Sequence, residues 1–533
     1  MKLDQPRKAL IDRPILLVSV ALTTLFVLWG VFFTDNLASV AASTLGQIIE
    51  SFGWLFVLSS AGFLVLAAVL AFGRTGRIRL GRDDERPEFR TVSWIAMMFS
   101  AGMGIGLMFY GVSEPMSHFA TPPPGGPAAG TEGAALTAME YSFFHWAAHP
   151  WAMYAVVGLA LAYFGYRRGE RQLISAVFRP LLGDRVDGPI GRVVDILAIF
   201  ATVFGSATSL GLGALQINAG LREVWGIEGG TRLAIGVIVV LTALFVLSAI
   251  SGVHRGIQWL SNTNMALAIA LLAFVFLVGP TIFITNTLTE SIGGYLTNLP
   301  GMSFKAGAFG GSEWLSGWTI FYWAWWISWS PFVGSFIARI SRGRTIREFV
   351  LGVILVPSLV SFVWFSVLGG TALHSALGGA KGIGAAVAEG PEAGLFATLR
   401  ELPWFQLTSV VVIVLVALFF VSGADAAAIV LGMLTCRGDS NPNRAVVVVW
   451  GVLTGLTAAV LLLAGGLTAL QQVTIIAAFP FLLVMLGMCA SLVRALRSEP
   501  RPEAAPSAVG AAEGDAIAGP QDTAAVSAPA GTT

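Results

Sequence analysis

Apolar runs of about 20 residues recur along most of this chain, and they constrain its fold more than any other feature. Of the 533 residues, 56% are hydrophobic and only 11% are charged. That balance leaves too little charge to cover the surface of a water-soluble protein of this length. A run of roughly 20 apolar residues is long enough to cross the hydrocarbon of a bilayer as a helix. The sequence therefore predicts an all-α polytopic membrane protein.

About twelve transmembrane helices are predicted. They lie near 14–34, 52–73, 92–114, 141–166, 193–217, 233–251, 262–283, 318–338, 348–372, 405–433, 445–468 and 473–493. With these spans, 26 of the 31 lysines and arginines fall in alternate connections, which is the distribution expected of cytoplasmic segments. We therefore expect a multi-pass protein of the cell inner (plasma) membrane with both termini in the cytoplasm.

Three segments outside the spans have distinct compositions. Residues 77–90 mix arginine with aspartate and glutamate and are predicted to form a solvated cytoplasmic connection. Residues 289–295, in the external segment, are predicted to form a short amphipathic helix that joins two halves of a core. The tail after about residue 500 consists largely of Ala, Pro, Gly, Ser and Thr. Such a composition cannot form a packed core, so the tail is predicted to be disordered.

Four tryptophans lie within residues 323–329, far from either end of the eighth predicted span. Tryptophan in membrane proteins is enriched at the interface, where its N–H meets water. Indoles at mid-membrane depth need either dense packing with N–H partners or a cation against the ring faces, which is how aromatic cages recognise quaternary ammonium groups. Trp326 and Trp329 share a helix face, and Trp325 lies about 100° away. These three rings are candidates for such a cage.

A second aromatic group opens the fourth span. Trp151 and Tyr154 are three residues apart and share a helix face. Trp146 joins them only if Pro150, which removes a backbone hydrogen bond, bends the helix between them. The bend would make a three-sided aromatic wall, and an ordinary packed aromatic cluster is the alternative.

The third span carries Gly102, Gly104 and Gly106 at alternate positions. Alternation spreads glycines over several helix faces, whereas a packing seam keeps small residues three or four apart. One interpretation is close helix packing through Gly102 and Gly106. The other is a locally unwound helix whose free amides and carbonyls bind the charged ends of a substrate and an ion. The aromatic segments favour unwinding.

Four ionisable residues within apolar spans need separate interpretations. His145 and His149 have the i, i+4 spacing of metal ligands, but no third ligand accompanies them, which favours structural or hydrogen-bonding roles. Asp425 is a functional candidate because an acid in the membrane is costly, with the capping of a broken helix end as the alternative. Glu114 precedes a proline and is predicted to end the third span rather than to bind a ligand. No nucleophile–base pair, Walker-type loop or repeated filter supports a membrane enzyme or a channel.

In order and spacing, residues 102–111, 145–154 and 323–347 resemble the betaine/choline/carnitine transporter family, and the resemblance extends over nearly all of the membrane region. It implies two inverted five-helix repeats with a LeuT-like core, alternating access around a midplane site, and a homotrimer. The implied domains are a cytoplasmic N-terminal segment (1–13), two peripheral helices with a cytoplasmic loop (14–91), the first inverted repeat (92–283), an external linker with the amphipathic helix (284–317), the second inverted repeat (318–496) and the tail (497–533).

The resemblance also implies roles for individual residues. The aromatic box around a trimethylammonium group would consist of Trp146, Trp151, Tyr154 and Trp326. Trp325 would hydrogen-bond the substrate, and Trp329 and Phe332 would line the inner part of its path. The glycine segment would complete the substrate site through Gly102, Met103, Gly104 and Gly106. Family members with aspartate at the third glycine tend to take choline with protons, so Gly106 indicates the sodium-coupled betaine type.

Two sodium sites are implied by the same resemblance. The candidate ion-binding residues are Ser100, Met103, Phe419, Ser422, Thr202, Ser206 and Phe332, with Ser209 as a further hydroxyl. The first site would combine backbone carbonyls of span 3 and of Phe419 with two hydroxyls of span 10. Where the family reads Thr-Ser-Ala-Asp-Ser, residues 422–426 read Ser-Gly-Ala-Asp-Ala, so Gly423 removes one hydroxyl of the two. Weaker sodium affinity, another ion or a water in the gap are all compatible with this departure.

The function expected from the resemblance is sodium-coupled import of glycine betaine or a related compatible solute for osmoprotection. No cofactor other than the coupling ion is expected, and neither is a nucleic-acid partner. Choline, carnitine, ectoine, proline and dimethylsulfoniopropionate remain alternative solutes, because a cationic head is all that an aromatic box demands. Proton coupling and exchange remain alternative modes of transport.

Overall fold

The computed structural model describes residues 10–102, 104–251 and 254–499, most of which are helical. The α-helices are α1 Arg13–Phe32, α2 Thr34–Phe72, α3 Thr91–Gly102, α4 Ile105–Ala120, α5 Glu132–Trp146, α6 Ala148–Ala162, α7 Arg179–Leu182, α8 Pro189–Trp225, α9 Thr231–Ser251, α10 His254–Val278, α11 Thr281–Ser303, α12 Ser312–Leu315, α13 Phe321–Arg339, α14 Ile346–Leu377, α15 Gly382–Glu389, α16 Gly394–Arg400, α17 Phe405–Thr435 and α18 Arg444–Arg497. In these ranges the extended backbone amounts to one isolated bridge between Arg79 and Thr345.

Every predicted span falls on one or two of these helices, which confirms the all-α polytopic fold. Within the described residues, seven helical segments are each long and apolar enough to cross a bilayer, and a bent helix pair makes an eighth. The two last predicted spans lie in α18, whose backbone leaves helical geometry at Gly465 and Gly466. Gly466 adopts a positive φ of 60°, a conformation in which a Cβ would be strained.

Two predicted boundaries are wrong. The second span begins at Thr34 rather than near 52, so α2 has 39 residues and is about 58 Å long. The seventh span ends at Val278 rather than 283, because α11 begins at Thr281 and turns away from α10 by 108°. Residues 289–295, predicted to form a short amphipathic helix, lie within the longer helix α11, which has 23 residues.

The connection at 77–90 is exposed at most of its residues, as predicted, but a few of its positions are buried. Leu80 is fully buried, and its backbone N–H and C=O pair with Arg344 and Gly343 at 2.8 Å each. Glu85 forms an ion pair with Arg342 at 2.6 Å. The loop therefore docks on the segment between α13 and α14, because that segment offers backbone groups that need hydrogen-bond partners.

The third span is broken at the glycine segment. Helix α3 ends at Gly102, and α4 begins at Ile105 after Gly104, whose backbone is extended (φ −160°, ψ −143°). Local unwinding is therefore confirmed over close packing of a continuous helix. Glu114 and Pro115 lie inside α4, which continues to Ala120, so the prediction that Glu114 ends the span is wrong.

The fourth span is also broken, three residues before the proline that predicted a bend. Helix α5 ends at Trp146, Ala147 is non-helical (φ −107°, ψ −116°), and α6 begins at the next residue. Pro150 has no N–H for the carbonyl of Trp146 four residues earlier, and its ring clashes with that carbonyl in a helix. The freed carbonyl instead accepts a hydrogen bond from the Ser361 hydroxyl at 2.9 Å. Pro150 therefore accounts for the position of the break, because its effect falls on the carbonyl of Trp146.

Candidate solute and ion sites

Four aromatic rings from three helices meet beside the two helix breaks. Trp326 stacks on Trp325, with ring centroids 4.7 Å apart and planes inclined by 13°. It also meets the ring of Trp146 edge-on at 4.9 Å and that of Tyr154 at 6.2 Å. All four side chains are at most 5% exposed. The structure thus brings together three predicted box residues and Trp325, and it turns their rings inward rather than toward lipid.

Trp151 and Trp329 lie at the margin of this group. The Trp151 ring packs edge-on against Tyr154 at 5.4 Å, and Trp329 packs edge-on against Trp325 at 6.2 Å. Phe332 lies beyond Trp329, with ring centroids 5.6 Å apart. Trp329 and Phe332 thus follow the cluster along α13, and their lining of the inner part of the solute path stays a prediction.

The rings of the cluster are in mutual contact. A cation is attracted to an aromatic ring when it lies within about 6 Å of the centroid, so a guest held between two ring faces needs a wider gap than the 4.9 Å between Trp146 and Trp326. Solute binding between these two rings therefore requires them to separate.

Polar atoms in the cluster differ in their hydrogen bonding. The Trp326 N–H donates to the backbone carbonyl of His145 at 3.0 Å. By contrast, Trp325 Nε1 and the Tyr154 hydroxyl are buried and have no hydrogen-bond partner among the described residues. A buried donor without a partner costs about 1–3 kcal/mol. These two groups are therefore available to a polar group of a solute.

Glu114 contacts the N–H edge of the Trp146 ring, a role that the sequence did not reveal. Its side chain is fully buried. Oε2 accepts hydrogen bonds from Trp146 Nε1 at 2.7 Å and from the Tyr322 hydroxyl at 2.5 Å, while Oε1 lies 2.7 Å from His145 Nδ1. The signal that could have revealed it is an acid within an apolar span, which the following proline obscured.

The histidines of this region make hydrogen bonds, as predicted. Besides its contact with Glu114, His145 lies 3.0 Å from the Thr319 hydroxyl, and His149 Nε2 lies 3.1 Å from the Ser303 hydroxyl. Glu114, His118 and His145 offer three metal-ligating atoms within 4.8 Å of one another. The 2.7 Å contact between Glu114 and His145 is nevertheless a hydrogen-bond distance, and the other carboxylate oxygen already serves two donors. Glu114 and His145 are therefore hydrogen-bonded, whereas both ring nitrogens of the buried His118 have no hydrogen-bond partner among the described residues.

Gly106 places the first turn of α4 against the aromatic cluster. A Cβ at this position would lie 2.7 Å from Cη2 of Trp146 and 2.9 Å from Cη2 of Trp325, closer than packed carbon atoms approach. At Gly104 the nearest atom to such a Cβ is Phe419 Cδ1 at 3.8 Å, an ordinary contact. Glycine is therefore sterically required at 106 and not at 104.

Not all of the predicted glycine segment can be compared with the structure. Met103 lies outside the described residues. For Ser100 and Gly102 the structure describes the α3 backbone and not the surroundings of their side chains.

The hydroxyls predicted for one ion site lie on α8. The Thr202 hydroxyl donates to the carbonyl four residues earlier at 2.8 Å, and that of Ser209 donates to Gly205 at 3.3 Å. Ser206 Oγ is buried with no hydrogen-bond partner in the described part of the chain. A Cβ on Gly205 would lie 2.5 Å from Ser328 Oγ of α13, so these hydroxyls lie where α8 and α13 are closely packed.

The other predicted ion site involves α17. The Ser422 hydroxyl donates to the carbonyl of Phe419 at 3.3 Å. A Cβ on Gly423 would have no heavy atom of the described residues within 4 Å, at the position where the family carries a second hydroxyl. Asp425 is buried within α17. That helix runs unbroken from Phe405 to Thr435, so Asp425 does not cap a break in its own helix.

The model of the BCCT family, described as the betaine/carnitine/choline family transporter, matches residues 14–501. The chain belongs to this family. Similar curated proteins include the glycine betaine transporter OpuD of Bacillus subtilis, which is 48% identical over 486 residues, covering 91% of this chain and 94% of that protein. The family assignment makes this chain a secondary transporter and not an enzyme.

The names of two further relatives include a solute other than betaine. The betaine/ectoine transporter LcoP of Corynebacterium glutamicum is 40% identical, over 93% of this chain and 79% of its own. The ectoine/hydroxyectoine transporter of Virgibacillus pantothenticus is 41% identical, over 92% of this chain and 97% of its own. A solved Na⁺-coupled sialic acid symporter shares 13% identity with a TM-score of 0.44 over 82% of this chain and 86% of its own, a likeness too weak to bear on this chain's function.

Proposed function

We propose that this BCCT transporter imports glycine betaine or a closely similar quaternary ammonium solute. The observation that carries the proposal is the buried meeting of Trp146, Tyr154, Trp325 and Trp326 beside the α3–α4 break. Each ring attracts a desolvated cation by about 0.5–2 kcal/mol, so several rings together bind a trimethylammonium group. The 48% identity to a glycine betaine transporter supports the same solute.

The carboxylate of betaine has a complementary environment at one end of this cluster. Gly106 lies in the first turn of α4 and against Trp146 and Trp325, and a helix N-terminus presents free N–H groups and a partial positive charge. The unpartnered Trp325 Nε1 and Tyr154 hydroxyl are further donors. A zwitterion therefore finds rings for its cation and N–H groups for its anion.

Sodium is the coupling ion in this proposal. Sodium needs hard oxygen ligands, and Ser206 offers a buried hydroxyl that no described residue satisfies. Thr202 lies one helical turn earlier on α8, and the Phe419 carbonyl and Ser422 hydroxyl of α17 offer oxygens for the other site. Gly106 at the third glycine also favours sodium over protons by the family resemblance.

The arrangement of the chain in the membrane belongs to the same proposal. We place the inverted repeats at 92–283 and 318–496, with the bent helix α11 between them and α1 and α2 outside, in a homotrimer. The asymmetry of lysine and arginine places both termini in the cytoplasm, with the protein in the cell inner membrane. Cysteine labelling of an internal and an external loop in intact cells tests the orientation.

Uptake of labelled betaine into proteoliposomes, with imposed sodium, potassium or proton gradients, tests solute and ion together. We expect accumulation driven by an inward sodium gradient. Accumulation that ignores sodium and follows protons would overturn the coupling. No betaine uptake under any gradient, with choline accepted, would overturn the solute.

Ectoine is the second candidate solute, because two relatives at 40–41% identity are named for it. Ectoine also combines a delocalised cation with a carboxylate. Its ring lacks the three methyl groups that a box of aromatic faces surrounds. We expect unlabelled betaine to compete with labelled betaine at lower concentration than unlabelled ectoine, and the reverse order would make ectoine the principal solute.

Gly423→Ser is expected to lower the sodium concentration for half-maximal uptake about fivefold, because one added ligand is worth ~1 kcal/mol. The position is open within 4 Å, so the hydroxyl enters without displacing a neighbour. The matched control is Gly423→Ala, which adds the Cβ alone and is expected to leave the sodium dependence unchanged. An equal effect of both variants would show that the sodium site does not reach residue 423.

A further inference from the structure

Glu114 forms the centre of a buried polar group behind the aromatic cluster, here called the Glu114 group and consisting of Glu114, His118, His145, Trp146 and Tyr322. Glu114, His118 and His145 are fully buried. His118 Nε2 lies 3.4 Å from Glu114 Oε1, on the side where His145 also approaches. The group joins α4, α5 and α13, the helices that carry Gly106, Trp146 and Trp326.

The contact with Trp146 has a defined direction. An indole N–H can only donate, so the Trp146 N–H must point at Glu114 Oε2, 2.7 Å away. This is the length of a charge-assisted hydrogen bond. Because the N–H is held at one edge, the ring cannot rotate about its side-chain bonds without breaking the bond. The ring contacts of Trp146 include those with Trp325 and Trp326, whose centroids lie 6.1 and 4.9 Å away.

A carboxylate that accepts an indole N–H also acts on the ring electronically. Negative charge at the N–H edge increases the electron density of the ring face, and the attraction of a cation to that face is electrostatic. In a dry interior this effect is stronger than in water. An ionised Glu114 would add negative charge beside the solute site without lining it.

We infer that Glu114 is a positioning residue of the solute site, which holds the Trp146 ring by its N–H and increases the affinity of that ring for a cationic solute. The inference rests on the proposed function for the identity of the solute. Its structural part, the bond that holds the ring, does not depend on the solute.

A double-mutant cycle tests whether Glu114 acts through the indole N–H. Binding of labelled betaine to purified protein is compared for the wild type, Glu114→Gln, Trp146→Phe and the double variant. We expect Glu114→Gln to weaken binding at least tenfold in the wild type and less than twofold in the Trp146→Phe background, where no N–H remains. Groups in contact show such non-additivity, whereas independent ones do not. Equal losses in the two backgrounds would overturn the inference.

Glu140 supplies a matched control. It is another buried glutamate, on α5, and its Oε2 accepts a hydrogen bond from the Asn298 amide at 2.9 Å. It does not contact the aromatic cluster. Glu140→Gln removes a charge from the same helix that carries Trp146, and we expect it to change betaine binding less than twofold. A tenfold loss in this variant would show that any buried charge on these helices suffices, and would overturn the specific role of Glu114.

A second measurement needs no solute. In protein labelled with [¹⁵N-indole]tryptophan, the resonance that is lost in Trp146→Phe is assigned to Trp146. We expect its N–H proton to move upfield in Glu114→Gln, because a weaker acceptor replaces a carboxylate, and not to move in Glu140→Gln. An unshifted resonance in Glu114→Gln overturns the inference whatever the solute is. A shifted resonance in a protein that binds no betaine overturns only the proposed function.

Glu114→Asp keeps the experiment decisive if the glutamine variant does not fold. The shorter side chain retains the charge and withdraws it from the indole by one methylene. We expect Glu114→Asp alone to weaken betaine binding less than tenfold. Added to Trp146→Phe, it is expected to cause no further loss. An added loss in that background would overturn the inference as it would for glutamine.

Discussion

Trp326→Ala is expected to weaken betaine binding at least tenfold, equivalent to about 1.4 kcal/mol. The ring stacks on Trp325 and meets Trp146 and Tyr154, so its removal takes away the member that contacts all the others. Equilibrium binding of labelled betaine to purified protein measures the loss. An unchanged dissociation constant would show that the solute does not bind in this aromatic cluster.

The alanine variant also loses packing, and the controls separate this from binding. Replacing a buried tryptophan by alanine costs about 3–5 kcal/mol of stability, and the His145 carbonyl loses its N–H donor. Trp326→Phe keeps a ring and is expected to retain most of the affinity. Trp323→Phe changes another fully buried tryptophan of α13, which stacks on His149 instead, and is expected to leave binding unchanged. A loss in Trp323→Phe as large as in Trp326→Ala would assign both effects to stability.

Gly106→Asp is expected to abolish betaine uptake, and Gly106→Ala to lower it at least tenfold. A Cβ would lie 2.7 and 2.9 Å from the rings of Trp146 and Trp325. Either ring can move aside only at the loss of a contact, which is the hydrogen bond to Glu114 for Trp146 and the stacking on Trp326 for Trp325. Overpacking of this kind costs about 1–3 kcal/mol. The aspartate adds a negative charge that repels the betaine carboxylate.

Gly104→Ala is the matched control, since its Cβ would make only an ordinary 3.8 Å contact. We expect uptake within about twofold of the wild type, which is less than 0.5 kcal/mol. We expect Gly106→Asp to bind labelled choline more tightly than labelled betaine, because choline has the cation without the carboxylate. Equal losses at the two glycines would show that unwinding of the segment, and not its proximity to the rings, accounts for glycine at 106.

The Glu114 group adds an acid to the surroundings of the proposed cation site. The sequence predicted a cation site made of aromatic rings. In the structure an acid, Glu114, lies on the far side of Trp146 and accepts a hydrogen bond from its indole N–H. In the proposed site these rings separate the buried acid from the solute. We expect this arrangement to attract a cation without offering it an ion pair.

Local patterns in the sequence were sufficient for much of the fold. The apolar runs predicted the membrane helices because hydrocarbon admits a backbone only when its polar groups are bonded within the helix. The alternating glycines predicted the α3–α4 break, and Pro150 predicted the break before α6. Each of these features acts within a few residues along the chain, so each is visible without knowledge of the rest of the fold.

Contacts between segments that are distant in the sequence are visible only in the tertiary structure. The sequence could not show that Glu114 reaches Trp146 and Tyr322, because these residues are brought together only by the packing of three helices. Nor could it show that Leu80 pairs with the segment after α13. In both cases a buried polar group must find a partner, and residue types along the chain do not reveal which distant segment supplies it. The sequence by itself determined the helices and their aromatic content, whereas packing decided which rings meet and which acid holds them.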